Sequence, residues 1–465
     1  MLRIPRTRTA ERGDSNGDAQ PDNRLALVDQ ALFAGHRAAD QKVVIQCVWV
    51  YEHAIDFDGV KRFHHNLGYG LLGRRIERSP LPFTRHRWVL DRGPSNMEFA
   101  ESTRPRHELS DWADECSQLP VDSESGPGWR INVLPLSDGS TAVSLVVSHY
   151  LIDGLGLALV LADAIMGKTH DLGYPPPRSR TRFRAVVEDA RQTARDIPEI
   201  GRAIVQAGRM ARESRHATVG KPGPQVFSDH AGSPWSREIV VVPLISIYVD
   251  LQDWDARAQA LGGTTNTLIA AMAAKLGERM GRRAHDGTVT LQLPMSDRTE
   301  EDTRAIALSY ARVSVDPTGV QEDLKDIRVA IKEGLRTLRE APSDSQILWL
   351  TPLTPKRLMK RMVYTGFADP GRPVLCSNLG DLGAILGHLD GTEAEYAAAR
   401  VTGQHVPRSW LEAIGGQMTV LSGRLSGKVF ITVAAYHPGA DNTKPALREL
   451  AARVLAEFGL TGEID

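Results

Sequence analysis

Two halves of the chain show a similar order of strand-like and helix-like segments, and this similarity constrains the fold more than any other feature. The segments are predicted from β-branched and apolar runs and from the helical spacing of apolar residues. In the first half, the strand-like runs are "KVVIQCVWVY", "HRWVL", "WRINVLPL" and "TAVSLVVS", and "DFDGVKRFHHNLGYGLLGRRI" is helix-like. In the second half, the strand-like runs are "REIVVVPLISIYV", "GTVTLQLPM", "IALSYARVSV", "RPVLCSNLGDLG", "GGQMTVLSG" and "GKVFITVAAY", and "TTNTLIAAMAAKLGERMG" is helix-like. We therefore predict two halves of mixed α and β structure, although no sequence repeat is visible between them.

The length of the chain and two Gly/Pro-rich stretches predict the domain boundaries. A chain of 465 residues exceeds the roughly 250–300 residues at which a single core usually stops growing. We expect a disordered tail over residues 1–22, an N-terminal lobe over 23–180, a helical connector and Gly/Pro-rich linker over 181–236, and a C-terminal lobe over 237–465. The helical part of the connector is rich in arginine. Either it makes a peripheral contact with anionic lipid headgroups, or it is a solvated helix face.

The composition excludes several classes of protein. The 56 basic side chains balance 57 acidic ones, so the chain carries no basic footprint for nucleic acid. Cys47, Cys116 and Cys376 lie far apart without a CxxC spacing, which argues against a disulfide framework or a zinc site and fits a reducing compartment. The N-terminus lacks the apolar stretch of a secretory signal, and no window approaches the roughly 20 apolar residues of a membrane span. We therefore expect a cytoplasmic globular protein.

The stretch "SLVVSHYLIDGLGLALVLADA", residues 144–164, places a histidine between a predicted strand and a predicted helix. His149 follows "TAVSLVVS" and therefore stands at the carboxyl end of a strand. Asp153 stands just before apolar residues at helical spacing, where a carboxylate caps free backbone N–H groups. Gly154 allows close approach of the backbone at the turn. The stretch is predicted to form a strand, a tight turn and a helix, with an imidazole at the turn.

An imidazole in this position is suited to proton transfer. Its ordinary pKa near 6.5 matches the task of removing a proton from a hydroxyl or amine at neutral pH, which contributes about 10²–10⁴-fold in rate. A hydrogen-bonded structural histidine is the alternative. The local pattern therefore selects His149 as a candidate without deciding its role.

Other chemistries find no support in the sequence. His64 and His65 are neighbours in a predicted helix, where they point about 100° apart and cannot face one ion. His149 and Asp153 stand across a turn and not on one helix, which argues against metal ligation. The glycine motifs of nucleotide sites and the G-x-S-x-G elbow of serine hydrolases are absent from the sequence. We predict no metal and no bound cofactor.

The HxxxDG motif formed by His149, Asp153 and Gly154 resembles the core of the motif shared by chloramphenicol acetyltransferase-like and condensation-domain acyltransferases. The nearest resemblance is to the wax ester synthase/diacylglycerol acyltransferase branch, through "LALVDQALF", "TTNTLIAAMAAKL", "LPMSDR", "CSNLGDLG" and "GGQMTVLSGRLSGKVFITVAAY" in that order. It covers most of the chain from about Leu25. The resemblance implies an α/β (mixed α+β) fold of two chloramphenicol acetyltransferase-like lobes, each a mixed sheet with helices, and an active-site tunnel between them.

The resemblance also implies roles for the motif residues. His149 matches the general base, which removes the proton from the acceptor as it attacks the acyl carbonyl. Asp153 and Gly154 complete the catalytic motif, and Arg298 of "LPMSDR" matches an arginine that pairs with Asp153. A helix cap at Asp153 gives nearly the same expectation, because loss of Asp153 would displace the loop that carries His149 in either case.

Three further residues are candidates for contact with substrate or with the oxyanion. Ser377 and Asn378 match a strand end near the family's reaction centre, where a hydroxyl or amide donates to the oxyanion. Asn378 alternatively fixes a turn. Ser148 stands where the family has its first histidine, so the match to the motif is weaker at this position.

On this resemblance we expect an acyltransferase of lipid or specialised metabolism that forms an ester. It would move an acyl group from a coenzyme A or carrier-protein thioester, as co-substrate, to a hydroxyl of a small-molecule acceptor. The Gly-Asn pair usual after the "PxSxR" stretch is missing from "RTEEDTRAIALSYARV", which leaves the substrate pair open. Two alternatives remain: an amide-forming free-standing condensation enzyme, and a non-catalytic lipid- or carrier-binding member of the fold. We expect a monomer with no nucleic-acid partner.

Overall fold

The computed structural model describes residues 22–217, 238–299, 301–340 and 344–465. The expected N-terminal tail, apart from Asp22, and residues 218–236 of the expected connector and linker lie outside the described residues. Within the described part of the chain, no helix is both long and apolar enough to span a membrane.

The first half contains the strand, turn and helix predicted around His149. Its elements are helix α1 (Leu27–Ala39), strand β1 (Lys42–Tyr51), α2 (Phe57–Leu67), β2 (Arg74–Glu77), β3 (Arg87–Leu90), β4 (Glu98–Phe99), α3 (Leu109–Gln118), β5 (Trp129–Pro135), β6 (Thr141–Ser148), α4 (Gly154–Ile165) and α5 (Arg182–Ala217). Helix α2 was predicted to continue to Ile76, but it ends at Leu67. Gly68, which has no room for a Cβ, and Gly70, which has a φ of 65°, end the helix and free the chain to enter β2.

The second half contains the predicted segments in their predicted order, but the strand over Tyr396–Gln404 is among its elements that were not predicted. Its elements are β7 (Ile239–Val240), β8 (Leu244–Asp250), α6 (Leu251–Ala260), α7 (Thr265–Arg279), β9 (Val289–Ser296), β10 (Leu308–Val315), α8 (Lys325–Glu340), α9 (Lys356–Phe367), β11 (Val374–Asp381), β12 (Tyr396–Gln404), β13 (Val406–Pro407), α10 (Arg408–Ala413), β14 (Gln417–Leu425), β15 (Lys428–Tyr436), α11 (Lys444–Glu457) and β16 (Glu463–Ile464). The run "REIVVVPLISIYV" is split into β7 and β8, because Pro243 has no backbone N–H for a sheet ladder.

Two large mixed sheets organise the described residues. The first has the order β12-β1-β6-β5-β4, and the second has the order β10-β9-β11-β14-β15-β8-β16. Strand β12 crosses the boundary expected between the lobes: it comes from the second half but pairs antiparallel with β1 from Lys42–Gln404 to Val50–Tyr396. Strand β12 therefore joins the second half of the chain to the first sheet through a ladder of hydrogen bonds.

The hydrophobic cores show where the two sheets meet. One core lies between the second sheet and helices α6, α7 and α11. The core around β1, β6, α2 and α4 also includes Leu421 of β14 and Phe430 of β15, which belong to the second sheet. The carboxyl end of β6 therefore lies at the junction of the two sheets, and the turn after β6 carries His149.

Candidate active site

The ring of His149 is oriented by a carbonyl group of its own turn. Its backbone N–H donates to the carbonyl of Val43 at 3.0 Å, and its Nδ1 lies 3.0 Å from the carbonyl oxygen of Ile152. A carbonyl oxygen only accepts hydrogen bonds, so Nδ1 carries the proton of the neutral ring. The lone pair of Nε2 is then free to accept a proton from another molecule.

The surroundings of His149 keep this ring neutral. Burial lowers the pKa of His149 below its ordinary value of 6.5, while the contact with the carbonyl of Ile152 and the negative charge of Asp153 oppose this effect. Burial also lowers the pKa of His36 to about 4, and His149 contributes to that shift. Both imidazoles are therefore uncharged at neutral pH, and His149 is in the state that accepts a proton.

We expect the rate of any reaction that uses His149 as its base to fall only in acid. Because the pKa of His149 is lowered, kcat/KM should be flat above about pH 6.5, the ordinary pKa of histidine, and decline below it as Nε2 is protonated. The measurement is kcat/KM from pH 4.5 to 9, with tryptophan fluorescence at each pH as a control for folding. An acid limb with its midpoint above pH 7 would contradict the assignment.

Asp153 lies behind the turn, fully buried, and accepts four hydrogen bonds. Its Oδ1 accepts from the backbone N–H of Gly156 at 2.8 Å and from Nε of Arg298 at 3.2 Å. Its Oδ2 accepts from Nη2 of Arg298 at 2.7 Å and from the backbone N–H of Ala307 at 2.8 Å. The helix cap and the ion pair, which the sequence presented as alternatives, are therefore present together. Neither Asp153 nor Arg298 lines the cavity that His149 faces.

Arg298 connects the His149 turn to the loop between β9 and β10. Besides the bidentate contact with Asp153, its guanidinium donates to the backbone carbonyls of Asp302, Arg304 and Ala305, each at 3.0 Å. The side chain is 2% exposed, so these carbonyls and one carboxylate provide the hydrogen bonds that water would otherwise supply. The loop and the turn are consequently held as one unit.

Two more buried residues, whose roles the sequence analysis did not predict, hold the same loop. Asp29 of α1 accepts hydrogen bonds from the backbone N–H groups of Ala305 and Ile306, both at 2.9 Å. Arg74 of β2 donates to the carbonyl of Leu151 at 2.9 Å and to that of Thr303 at 2.6 Å. The signal for Asp29 was present in "LALVDQALF", where an acidic side chain interrupts an apolar helix face.

Two glycines near the start of α4, Gly154 and Gly156, have different neighbours. Gly154 lines the cavity, and a Cβ there would approach the end of the Leu379 side chain at 3.0 Å. At Gly156 a Cβ would lie 2.9 Å from Cζ of Arg298. The guanidinium is held by five hydrogen bonds and cannot give way, so Gly156, which sequence reasoning did not select, is the glycine that the ion pair requires.

Replacing Gly156 with alanine should therefore destabilise the protein. Overpacking of a fixed neighbour typically costs about 1–3 kcal/mol. A matched control is Gly201→Ala in α5, because a Cβ at Gly201 meets nothing within 4 Å. This substitution should stabilise the helix by roughly 0.5–1 kcal/mol. Urea unfolding of both variants and of the wild type measures the change in the free energy of unfolding for each substitution. A Gly156→Ala protein as stable as the wild type would show that Arg298 is free to move.

A single cavity brings together residues of both sheets around His149. It is lined from the first sheet by Ile45, Cys47 and Trp49, and from the second by residues such as Ser377 and Thr419. Among the described residues that line it, none is an aspartate, glutamate, lysine or arginine. The wall of the cavity around His149 is therefore uncharged and largely apolar.

The three residues that the sequence analysis selected for contact with substrate or with the oxyanion occupy different positions relative to this cavity. Ser377 and Asn378 line it together with His149. The amide nitrogen of Asn378 donates to Oδ1 of Asn266 in α7 at 2.7 Å, and its Oδ1 accepts from the backbone N–H of Gly380 at 2.8 Å. These bonds hold β11 against α7 and lie where the register of β11 shifts, between Asn378 and Asp381. Ser148 lines a separate polar cavity beside Tyr150, so the structure does not bring Ser148 to the face of His149.

Two polar residues of the cavity were not selected from the sequence. Ser296 and Tyr310 line it from β9 and β10, which pair at this end of the second sheet. Tyr310 is 46% exposed as a whole, but desolvation around its hydroxyl and the charge of Asp153 raise the pKa of this group, so the phenol stays protonated and can donate a hydrogen bond. The run "IALSYARVSV" predicted the strand, but which of its two faces meets the cavity depends on the packing of the sheets.

The described residues contain no group of three or more histidine, cysteine, aspartate or glutamate side chains that could hold a metal ion. His64 packs edge-on against Trp129, with 5.2 Å between ring centroids, while His65 packs against Tyr69 at 5.6 Å. The two neighbouring histidines therefore have different surroundings.

No protein-family model matches the sequence, and no curated protein matches it. Solved structures do match. The wax ester synthase/diacylglycerol acyltransferase from Marinobacter aquaeolei VT8 aligns with a TM-score of 0.53 and 15% sequence identity, over 94% of this chain and 98% of that chain. The first condensation domain of the CDA synthetase aligns with a TM-score of 0.52 and 13% identity, over 96% and 100% of the two chains. The first condensation domain of the calcium-dependent antibiotic synthetase, in complex with a substrate analogue, aligns with a TM-score of 0.54 and 14% identity, over 94% and 96%.

Proposed function

Because the chain has the two-lobed α/β fold of the wax ester synthase/diacylglycerol acyltransferase and condensation-domain structures, as its sequence predicted, we propose that it is an acyltransferase. It moves an acyl group from a coenzyme A or carrier-protein thioester to the hydroxyl of a small-molecule acceptor. The observation that carries the proposal is the neutral His149, whose Nδ1 is engaged by the carbonyl of Ile152 and whose Nε2 is left free at a cavity between the sheets.

In the proposed reaction, Nε2 of His149 takes the proton of the acceptor hydroxyl as its oxygen attacks the thioester carbonyl. A C–O bond forms and the carbonyl oxygen becomes an oxyanion. Collapse of this intermediate breaks the C–S bond, and the thiolate leaves with the proton held by His149. Transfer is direct, without an acyl-enzyme.

The oxyanion needs a hydrogen-bond donor close to His149. The hydroxyls of Ser377 and Tyr310 line the same cavity, and Asn378 uses its amide nitrogen to hold Asn266. We assign the role of hydrogen-bond donor to the hydroxyl of Ser377 or to that of Tyr310. A preorganised donor of this kind typically contributes about 10²–10³-fold in rate.

The cavity favours an ester-forming enzyme with a hydrocarbon acyl group over one that uses amino acid donors. An amino acid donor would bring an ammonium group that needs a carboxylate or several carbonyl groups. None of the described residues that line the cavity is acidic. Amide formation from an uncharged acyl group and an amine uses the same proton transfer, so amines belong among the acceptors that are tested.

The experiment that tests the proposal is thiol release from acyl-CoAs of increasing chain length, with pooled alcohols and pooled amines as acceptors. We expect acceptor-dependent release with the alcohol pool. Release with amines alone would assign amide formation instead. No release from coenzyme A or carrier-protein thioesters, together with retained binding of the donor, would identify a lipid- or carrier-binding protein and would refute the proposal.

A further inference from the structure

Arg282, which follows helix α7, is a buried arginine without a carboxylate partner. It is 2% exposed. Its Nη1 donates to the backbone carbonyls of Arg372 at 3.1 Å and Pro373 at 3.4 Å, whereas its Nε and Nη2 are buried and make no hydrogen bond. Among the described residues, no aspartate or glutamate forms an ion pair with it. A buried charge is normally paired, so the charge of Arg282 requires a counter-ion that these residues do not supply.

Other buried arginines of the chain bind a carboxylate through the same two nitrogen atoms. Nε and Nη2 of Arg298 bind the two oxygens of Asp153 at 3.2 Å and 2.7 Å. Nε and Nη2 of Arg87, which is 8% exposed, bind Glu77. These nitrogen atoms form one edge of the planar guanidinium, and the edge matches two oxygens of a carboxylate or a phosphate. The part of Arg282 without a partner is therefore the part that recognises an oxyanion.

Two neighbouring side chains add positive charge or a hydrogen-bond donor near Arg282. Burial and the charge of Arg372 lower the pKa of Arg282 to about 10, so the guanidinium keeps its charge at neutral pH. Burial and the charges of Arg372 and Arg282 lower the pKa of His437, while Glu412 opposes this shift. The carboxylate of Glu412 accepts a hydrogen bond from the hydroxyl of Tyr436 at 2.6 Å. The Nδ1 of His437 is also buried and makes no hydrogen bond.

The three side chains meet where α7 ends and β11 begins. A Cβ at Gly281 would lie 3.5 Å from Cε1 of His437, and a Cβ at Gly415 would lie 3.6 Å from Cδ of Arg372. The carboxyl end of α7 carries a partial charge of about −0.5, which offsets the charge of one guanidinium only in part. None of the three side chains lines the cavity that His149 faces. The cluster is therefore separate from the candidate active site.

We propose that Arg282, Arg372 and His437 form a binding site for a phosphate group. The Nε and Nη2 edge of Arg282 binds two oxygens of the phosphate, and Arg372 and Nδ1 of His437 donate to the remaining oxygens. Donors on three side chains suit a tetrahedral anion better than a planar carboxylate. The edge of Arg282 is covered in this structure, so the half-buried side chain of Arg372 turns aside when phosphate enters. The inference does not depend on the proposed acyl transfer.

The test measures the affinity for inorganic phosphate by isothermal titration calorimetry at constant ionic strength. We expect saturable binding to the wild type, weakened at least tenfold in Arg282→Met and in Arg372→Gln, because each substitution removes a charged donor. Arg372 is half-buried, so its variant keeps the test valid if Arg282→Met does not fold. The matched control is Arg283→Gln, because Arg283 is the next residue but pairs with Glu278 and Asp316. The control should bind phosphate within twofold of the wild type.

Urea unfolding with and without phosphate provides a second readout. A ligand that binds only the folded state stabilises it, so phosphate should raise the free energy of unfolding more in the wild type than in Arg372→Gln. Phosphate also strengthens apolar burial in proteins generally, and the gain that Arg372→Gln retains measures this effect. Titration with glycerol 3-phosphate identifies the source of the group: affinity equal to that of inorganic phosphate assigns the site to phosphate esters, and binding at least tenfold weaker assigns it to free phosphate.

Two results would overturn the phosphate site. The first is the absence of saturable phosphate binding to the wild type. The second is equal affinity for phosphate in the wild type and in folded Arg372→Gln or Arg282→Met, because the anion would then bind elsewhere on the surface. Both results are obtained without acyl transfer, so a failure of the proposed function leaves this test unchanged.

Discussion

Replacing His149 with alanine should lower kcat by at least about 10²-fold while leaving the free energy of unfolding nearly unchanged. The rate falls because Nε2 of His149 is the free basic atom at the wall of the cavity, and water does not replace a positioned base. Stability changes little because the ring is partly exposed to the cavity and makes a single hydrogen bond, to the carbonyl of Ile152. The measurement compares acceptor-dependent thiol release and urea unfolding in the variant and the wild type.

His388 provides a matched control for this substitution. Its Nδ1 also contacts a backbone carbonyl, that of Ala384 at 2.9 Å, and the residue is likewise half-buried, but it does not line the cavity. His388→Ala should keep wild-type activity. If His149→Ala retained more than a tenth of the wild-type rate, His149 would be a structural histidine, which is the alternative that the local sequence left open.

Removing either member of the Asp153 and Arg298 pair should destabilise the protein by about 3–5 kcal/mol, because the partner is left buried and without its counter-ion. The side chains are 0% and 2% exposed. Activity should fall as well, because Asp153 caps α4 and holds the turn that carries His149. The double variant should be little less stable than either single variant, since the second substitution removes the group that the first left unpaired.

Urea unfolding of the two single variants and the double variant forms a double-mutant cycle that measures this coupling. Arg336→Ala is the control, because Arg336 pairs with Glu333 and Glu340 on an exposed face of α8, where an ion pair contributes about 0–1 kcal/mol. Additive losses in the cycle would mean that Asp153 and Arg298 act independently, as a helix cap and a loop anchor. Their common contact would then contribute nothing.

Local patterns predicted the segments whose structure depends on nearby residues. "KVVIQCVWVY" coincides with β1 and "TAVSLVVS" with β6, because β-branched runs favour strands. The turn after β6 was predicted because a strand, a capping aspartate and an apolar helix follow one another within 21 residues, 144–164. This same locality allowed His149 to be selected as the candidate base.

The elements and contacts that the sequence analysis did not predict depend on pairing between distant parts of the chain. Strand β12 contains Ala397, Ala398 and Ala399, and alanine favours helix over strand. It becomes a strand because β1 provides a full ladder of partners more than three hundred residues earlier in the chain. For the same reason, Asp29 and Arg74 could not be linked to the loop before β10 from the sequence. Their partners, Ala305 and Thr303, lie 276 and 229 residues away.

The most direct test of direct acyl transfer at His149 is a single-turnover experiment that follows the acyl group by mass spectrometry. The protein is mixed with decanoyl-CoA, with and without an alcohol, and quenched samples are analysed for the intact protein and for the ester. We predict an ester and free coenzyme A only when the alcohol is present, and no acyl adduct on the protein at any time. A protein that gains one decanoyl group before the alcohol is added would contradict the account, because the acyl group would then pass through a nucleophile that the proposed mechanism does not contain.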